Sequence, residues 1–140
     1  MQFLLDKGLS AAQAVGFLAN MQMESGFLPY AVNKSSGASG ICQWFQSRRT
    51  AMIQFVGSDW KNNLTGQCEY LWYELNNSEK KTLEALRNEI RENTMSAAEQ
   101  ATLVVLYNFE RPGKGEAAEE RRKGYARELW SQLIPQLKTV

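Results

Sequence analysis

Glu24 is the residue of this chain whose position best suits acid–base chemistry. It ends an almost wholly apolar segment, residues 11–23, and is followed directly by Ser25 and Gly26. Burial and the negative end of a helix dipole both favour the protonated form of a carboxyl group at this place. A proton donor that works near neutral pH needs such surroundings. Glu24 is therefore the first candidate for a general acid, and an exposed residue in the last turn of a helix is the alternative.

The composition limits which other chemistry is open to the chain. It contains no histidine, so catalysis by a Ser-His-Asp or Cys-His arrangement is excluded, and the commonest metal ligand is missing. Its two cysteines, Cys42 and Cys68, cannot form a zinc site alone. We therefore expect no metal and no cofactor, and acid–base work must come from Asp, Glu, Tyr, Lys or Arg.

Length and charge describe one globular domain over residues 1–140. The chain is 44% hydrophobic and carries a net charge of +1, which gives no basic field for nucleic acid. No apolar run approaches the ~18 residues that would span a membrane, and the first eight residues lack the features of a signal peptide. They predict the end of a helix at Gly8, which suggests a piece of a larger protein, although a short native start fits equally well.

The pattern of apolar residues predicts a mainly α-helical domain. Ser10 and Gln13 form a capping box for the first full helix, and Gly26 ends it. Residues 27–44 are rich in Ser, Gly and Asn, which predicts an irregular loop or a short hairpin inserted after this helix.

Further helices follow the insert. They are expected over residues 48–56, over 66–76 with a cap at Thr65, from Ser78, from a capping box of Ser96 and Glu99 through Phe109, and over 115–134. The segment 101–109 is apolar all round, which is typical of a central helix.

Three polar segments interrupt these apolar elements. They are Glu24 with Asn20 and Gly16 at four-residue spacing before it, the loop 36–44, and the segment 107–112. Helix ends can turn side chains into a common cleft without disrupting a core. We expect these segments to form one site.

The same segments carry a resemblance to a known family. Glu24-Ser25-Gly26, followed by the loop 36–44, resembles the signature of the transglycosylase and goose-type branch of the lysozyme superfamily. The chain is more similar still to the phage tail lysozyme domain family, over about residues 4–130. That similarity rests on Lys7–Ser10, Gly16, Asn20, Gly40–Trp44, Arg49, residues 67–75 and Phe109–Pro112.

The resemblance implies an α+β lysozyme-like fold and a peptidoglycan hydrolase. Such an enzyme would cleave the β-1,4 bond between N-acetylmuramic acid and N-acetylglucosamine, with Glu24 as general acid. Substrate contacts would come from Ser25, Gln43, Trp44, Tyr107 and Asn108. A buried structural tryptophan and a core tyrosine are the alternatives for Trp44 and Tyr107.

A second catalytic carboxylate is left open by the sequence. The two-carboxylate scheme needs a partner at ~5–9.5 Å from the acid, and Glu110 is the natural candidate, with an ion pair to Arg111 as the favoured alternative. Asp59 is another candidate, with no motif behind it. The related transglycosylases can work with one glutamate and form 1,6-anhydro ends. A catalytically silent glycan-binding tail module is the third alternative.

The family context implies the partners and the location. They would be peptidoglycan strands and other parts of a phage tail, with an extracellular or virion-associated location. Cys42 and Cys68 are two buried thiols or a disulfide that ties the loop to a helix. Arg48 and Arg49 are read as a solvated helix start or as contacts for peptide-stem carboxylates.

Overall fold

The computed structural model describes residues 1–112 and 117–138, with side chains described as far as residue 135. Within these ranges the chain forms α-helices and no extended strands, which confirms the mainly α-helical fold class. The helices are α1 (Gln2–Asp6), α2 (Ala11–Ser25), α3 (Ser47–Val56), α4 (Leu64–Leu75), α5 (Lys80–Glu89), α6 (Met95–Val105) and α7 (Glu119–Lys138). The expected start of the last helix at residue 115 lies outside the described residues.

The chain divides into two compact units. The helical unit comprises Met1–Met23 and Lys81–Val140, and the loop-bearing unit comprises Glu24–Lys80. The expectation of one domain over residues 1–140 stays a prediction.

Small residues let the helices of the helical unit approach closely. A Cβ atom added to Gly16 in α2 would lie 2.8 Å from the backbone carbon of Ala101 in α6, so this position admits only glycine without a shift of the helices. Beside this contact the rings of Phe17 and Phe109 meet edge to face at 5.8 Å. The segment 101–109 therefore packs against α2 through Ala101 and Phe109, while Tyr107 within it is exposed. Its central position in the unit stays a prediction.

The start and end of α2 follow the local signals in the sequence. The amide of Ser10 donates to Oε1 of Gln13 at 3.0 Å, and the amide of Gln13 donates to Oγ of Ser10 at 3.1 Å. This reciprocal pair is the predicted capping box. At the other end Gly26 has φ +63°, the left-handed conformation that terminates a helix.

Two other predicted caps are wrong. Asn63, not Thr65, caps α4 by accepting the amide of Gly66 at 2.8 Å. Thr94, not Ser96, caps α6 by accepting the amide of Ala97 at 3.1 Å. In each case two cap-forming residues stand two positions apart, and the earlier one has the non-helical backbone that a cap requires.

Glu99, the expected partner of Ser96 in a capping box, pairs elsewhere. Its carboxylate accepts Nη1 of Arg127 at 2.6 Å. This contact joins α6 to α7 within the helical unit.

The last turn of the central helix is a π-helical turn, Leu106–Glu110, closed by a bond of 2.8 Å from the amide of Arg111 to the carbonyl of Leu106. Turns of this kind are rare and are frequent at functional sites. Tyr107 and Asn108 lie in it.

The loop-bearing unit places an irregular segment before α3 and α4. Two isolated antiparallel bridges, Val32 to Ser39 and Ser39 to Trp44, fold residues 27–46 without forming a continuous strand pair. Of the two structures expected for this segment, the irregular loop is therefore present, and isolated bridges take the place of a hairpin. A 3-10 helix, Trp60–Asn62, joins α3 to α4 and was not predicted.

Candidate active site

Glu24 occupies the last turn of α2 and is half-buried. The next residue connects this helix end to the Gly-rich loop, because Oγ of Ser25 donates to the carbonyl oxygen of Ile41 at 2.9 Å. The amide of Leu28 donates to the carbonyl of Ser25 at 3.2 Å. Two of the three predicted site segments therefore meet directly in the loop-bearing unit.

One backbone and two side-chain hydrogen bonds fold the loop back on the turn that follows Glu24. The amide of Gly40 donates to the carbonyl of Ala31 at 2.8 Å. Nε2 of Gln43 donates to the carbonyls of Ala31 and Gly40 at 3.2 and 3.1 Å. Gln43 thus holds the loop together.

Gln43 and Gln46 have an unusual backbone conformation. Both have φ +53°, which residues other than glycine rarely adopt. Such positions persist only where the surrounding contacts fix them, and they cluster at functional sites. Gln43 lies two residues and Gln46 five residues after Ile41, the residue of the loop that Ser25 contacts.

Trp44 is a structural residue. Its side chain is 1% exposed, its indole Nε1 donates to Oε1 of Glu74 at 2.8 Å, and its ring meets that of Tyr70 at 5.4 Å. A sugar ring has no access to this indole, so the buried alternative applies and the sugar-stacking role does not.

Beneath Trp44 lies a buried ionic cluster that sequence reasoning missed. Glu74 is 1% exposed and accepts from Arg48 Nε at 3.0 Å and from the Tyr70 hydroxyl at 3.3 Å. Nη2 of Arg48 also pairs with Glu79 at 3.2 Å. Burial first, and then the neighbouring charge of Glu74, raises the pKa of Tyr70.

The two arginines at the start of α3 have structural partners. Arg48 belongs to the ionic cluster, and Nε of Arg49 donates to Oγ of Ser39 at 2.8 Å. Ser39 is itself fully buried and bridges to Trp44. The solvated helix start expected for Arg48 and Arg49 is therefore wrong.

Gln67 is the second buried polar residue that the sequence did not single out for its chemistry. It is 0% exposed, and its Oε1 accepts the amide of Ile41 at 2.9 Å. Its Nε2 donates to the carbonyls of Pro29 and Trp60 at 2.9 and 2.7 Å. The available signal was its position on the buried face of α4, which it shares with Tyr70, Leu71, Glu74 and Leu75.

The third predicted segment belongs to the helical unit. Tyr107 is 51% exposed, so it is not the core tyrosine considered as its alternative. Its hydroxyl donates to Oε1 of Glu119 at 2.5 Å, and this bond is the main cause that raises the pKa of Tyr107. Asn108 is half-buried and donates to the carbonyl of Val104 at 2.9 Å.

Glu110, the candidate second carboxylate, ends the π-helical turn and is half-buried. Its neighbour Arg111 has a left-handed backbone, with φ +48°, and its Nη1 donates to the carbonyl of Asn108 at 2.9 Å. Arg111 therefore stabilises the end of this turn.

The two cysteines are both thiols, and no disulfide joins them. Cys42 is buried and Cys68 is half-buried, and burial raises the pKa of the Cys68 thiol. Of the two alternatives, the structure has the unbridged pair.

The described residues hold no cluster of His, Cys, Asp and Glu with the arrangement of a metal site. Within the same ranges, none of the helices has the length and apolar character needed to cross a membrane.

The arrangement defines a class of protein: a mainly helical domain in which a half-buried glutamate at a helix end meets a Gly-rich loop. The sequence profile of a family described as phage tail lysozyme matches residues 1–133, and the chain belongs to this family. The family match supports a lysozyme-like activity that degrades peptidoglycan. It also supports virion-associated action on the cell wall. Searches of curated proteins and of solved structures gave no match.

Proposed function

We propose that this chain is a muramidase, which hydrolyses the β-1,4 bond between N-acetylmuramic acid and N-acetylglucosamine with Glu24 as its general acid. One observation carries the proposal: the hydrogen bond from Ser25 to Ile41, which holds the helix end with Glu24 against the Gly-rich loop. The glycosidic oxygen that leaves must receive a proton, and a positioned carboxylic acid supplies it.

We propose four substrate contacts and describe them unit by unit. In the loop-bearing unit they are Ser25 and Gln43, whose side chains already organise the loop. In the helical unit they are Tyr107, which is exposed, and Asn108. Trp44 is left out because it is buried.

The biological role that we propose is local degradation of the cell wall by a phage tail or a similar envelope-penetrating machine. The partners would be peptidoglycan strands and other tail proteins. The family match to phage tail lysozymes supports this role.

A lytic transglycosylase is the second candidate, and the distribution of carboxylates favours it. Between Glu24 and Asp59 the sequence has no acidic residue, so the loop that meets Ser25 contributes no second carboxylate. Within the same unit, Glu74 is buried and bound to Arg48. A reaction with one glutamate needs a group of the substrate in place of the second carboxylate, and Glu110 remains the proposed alternative for a hydrolase.

The test compares wild type with Glu24→Gln on purified peptidoglycan. The substitution removes the proton donor and keeps the size of the side chain, so we expect release of muropeptides to fall about a hundredfold or more. Glu69→Gln is the matched control, since Glu69 is an exposed glutamate on α4 in the same unit. Unchanged activity of Glu24→Gln would show that another residue is the acid.

Mass spectrometry of the released fragments separates the candidates. Hydrated reducing ends identify a muramidase, and 1,6-anhydro ends identify a transglycosylase. A wild-type protein that sediments with peptidoglycan but releases nothing would be a glycan-binding module.

A further inference from the structure

We propose that Gln67 is a positioning residue for the reaction at Glu24. The inference rests on the proposed function, because it names a residue that acts on the same site through others. Gln67 itself is fully buried and has no contact with substrate to make.

The amide of Gln67 uses all its hydrogen-bonding groups on the backbone of three separate segments. Oε1 accepts from the amide of Ile41, while Nε2 donates to the carbonyls of Pro29 and Trp60. Since one partner is a donor and two are acceptors, a single orientation of the amide satisfies all three. The three segments are therefore fixed relative to one side chain.

Two of those segments are close to Glu24, one through hydrogen bonds and one along the chain. Ile41 is bonded on both sides, by Gln67 at its amide and by the Ser25 hydroxyl at its carbonyl. Ser25 follows Glu24 in α2, so two hydrogen bonds lead from Gln67 to the neighbour of the proposed acid. Pro29 lies four residues beyond Ser25, in the turn that leaves the helix.

The Gly-rich loop has the shape that this contact requires. A Cβ atom on Gly40 would lie 2.8 Å from Oε1 of Gln67, and the backbone there has φ +85°. Glycine at residue 40 thus lets the loop approach the amide of Gln67 closely.

A second buried glutamine, Gln13, is a control for Gln67, because its hydrogen bonds do not lead to the loop or the turn around Glu24. Gln13 in the helical unit donates from Nε2 to the carbonyls of Leu86 and Ile90 at 3.3 and 3.0 Å, and its Oε1 accepts the amide of Ser10 at 3.0 Å. Those bonds support the end of α5 and the start of α2, where Ser10 lies fourteen residues before Glu24. The bonds of Gln67 lead instead to the loop and the turn around Glu24.

The experiment compares Gln67→Leu with Gln13→Leu. Leucine has a similar size and removes every hydrogen bond of the amide, so both variants lose stability. For Gln67→Leu we expect kcat on peptidoglycan fragments to fall roughly tenfold to a hundredfold while KM changes by less than about threefold, because small displacements of a catalytic group are costly. For Gln13→Leu we expect kcat within about twofold of wild type, measured well below the melting temperature.

Amide hydrogen exchange tests the same inference without relying on activity. In Gln67→Leu the amides of residues 24–31 and 40–44 should exchange faster than in wild type, while those of α6 keep their protection. Unchanged exchange in these segments would overturn the proposal, and so would equal losses of kcat in the two leucine variants. If wild type cleaved no peptidoglycan, the proposed function would fail, and hydrogen exchange would then show only whether Gln67 orders the segments around Glu24.

Gln67→Glu is the variant that tests the proposal if Gln67→Leu does not fold. A carboxylate at this place can accept from Ile41 but has no donor for Pro29 and Trp60, whereas the protonated form donates one hydrogen bond. Activity relative to wild type should therefore rise as the pH falls. A ratio that stayed constant with pH would contradict the positioning role.

Discussion

The helical unit and the loop-bearing unit achieve order by different means. In the helical unit, apolar and small side chains pack helix against helix, as at Gly16 and Ala101. In the loop-bearing unit, buried polar side chains bind the backbone of an irregular segment, as at Gln67. Among the described residues, the exposed large hydrophobic side chains lie almost all in the loop-bearing unit: Phe27, Leu28, Tyr30, Val32, Phe45, Phe55, Leu64 and Tyr73, with Tyr107 in the helical unit.

This difference follows from what each backbone needs. A helix satisfies its own backbone hydrogen bonds, so its packing can be apolar. A loop that is partly buried must find partners for its amides and carbonyls elsewhere. Buried side chains such as Gln67 and Ser39 supply them, which gives a fixed geometry to a segment without regular secondary structure.

Each unit also contains a buried charged residue. Glu74 binds Arg48 and Trp44 in the loop-bearing unit. In the helical unit Arg122, 2% exposed, donates to Oδ1 of Asn20 at 2.8 Å and to the carbonyl of Ala117 at 2.7 Å. Removal of either charge tests how independent the two units are.

The largest loss of stability is expected from these charges. Glu74→Leu leaves a half-buried arginine with one carboxylate fewer and should lower the free energy of unfolding by about 4 kcal/mol. Arg122→Met leaves the oxygens of Asn20 and Ala117 without this donor and should lower it by about 3 kcal/mol. Urea denaturation measures both values.

Hydrogen exchange shows where each loss is felt. In Glu74→Leu the amides of residues 39–48 and α4 should exchange faster than in wild type. In Arg122→Met the faster exchange should be in α2 and α6. The same pattern of exchange in both variants would mean that the two units open together and are not ordered independently.

A matched pair of glycines should give the next largest effect. Gly16→Ala places a methyl group against the backbone of Ala101, which cannot move alone, and should lower the free energy of unfolding by about 3 kcal/mol. Gly40→Ala meets mainly the side chains of Gln67 and Trp44 but also requires a left-handed backbone, and should lower it by about 2 kcal/mol.

The activities of the two alanine variants should run in the opposite order. Gly40→Ala displaces the loop near Ser25, so its activity at a temperature where both variants are folded should be the lower. Equal activities would show that the loop adapts to the extra methyl group.

These expectations also show which parts of the molecule can be predicted from sequence. The capping box of Ser10 and Gln13 and the stop at Gly26 were predicted because their partners are within four residues. The roles of Glu74 and Gln67 were not predicted, because they depend on partners far away in the sequence. Trp44 and Arg48 lie 30 and 26 residues from Glu74, and Ile41 lies 26 residues from Gln67. The resemblance located Glu24 and the loop, but burial decided against Trp44 as a sugar contact.

The smallest effect concerns two tyrosines. The pKa of Tyr70 is raised chiefly by burial, and that of Tyr107 chiefly by its hydrogen bond to Glu119. A tyrosine whose pKa is raised by folding adds stability that is complete below its ordinary pKa of 10.0 and is lost as the pH rises above it.

Tyr70→Phe should therefore reduce the loss of stability between about pH 10 and about pH 11. Glu119→Gln should lower the pKa of Tyr107 and reduce the same loss by less, because Tyr107 is exposed. Absorbance of tyrosinate, followed with denaturation at each pH, measures both. If Glu119→Gln left the titration of tyrosine unchanged, the Tyr107–Glu119 bond would not persist in solution.

The π-helical turn at Leu106–Glu110 has a consequence for how chains of this kind can differ in length. A π turn contains one residue more than an α turn, so it is equivalent to an insertion absorbed within a helix. Loss of one residue from this turn would leave a regular helix, with the residues of α6 unshifted in their contacts. Related chains that differ here by a single-residue gap would therefore share the core of the helical unit and present different side chains at the position of Tyr107.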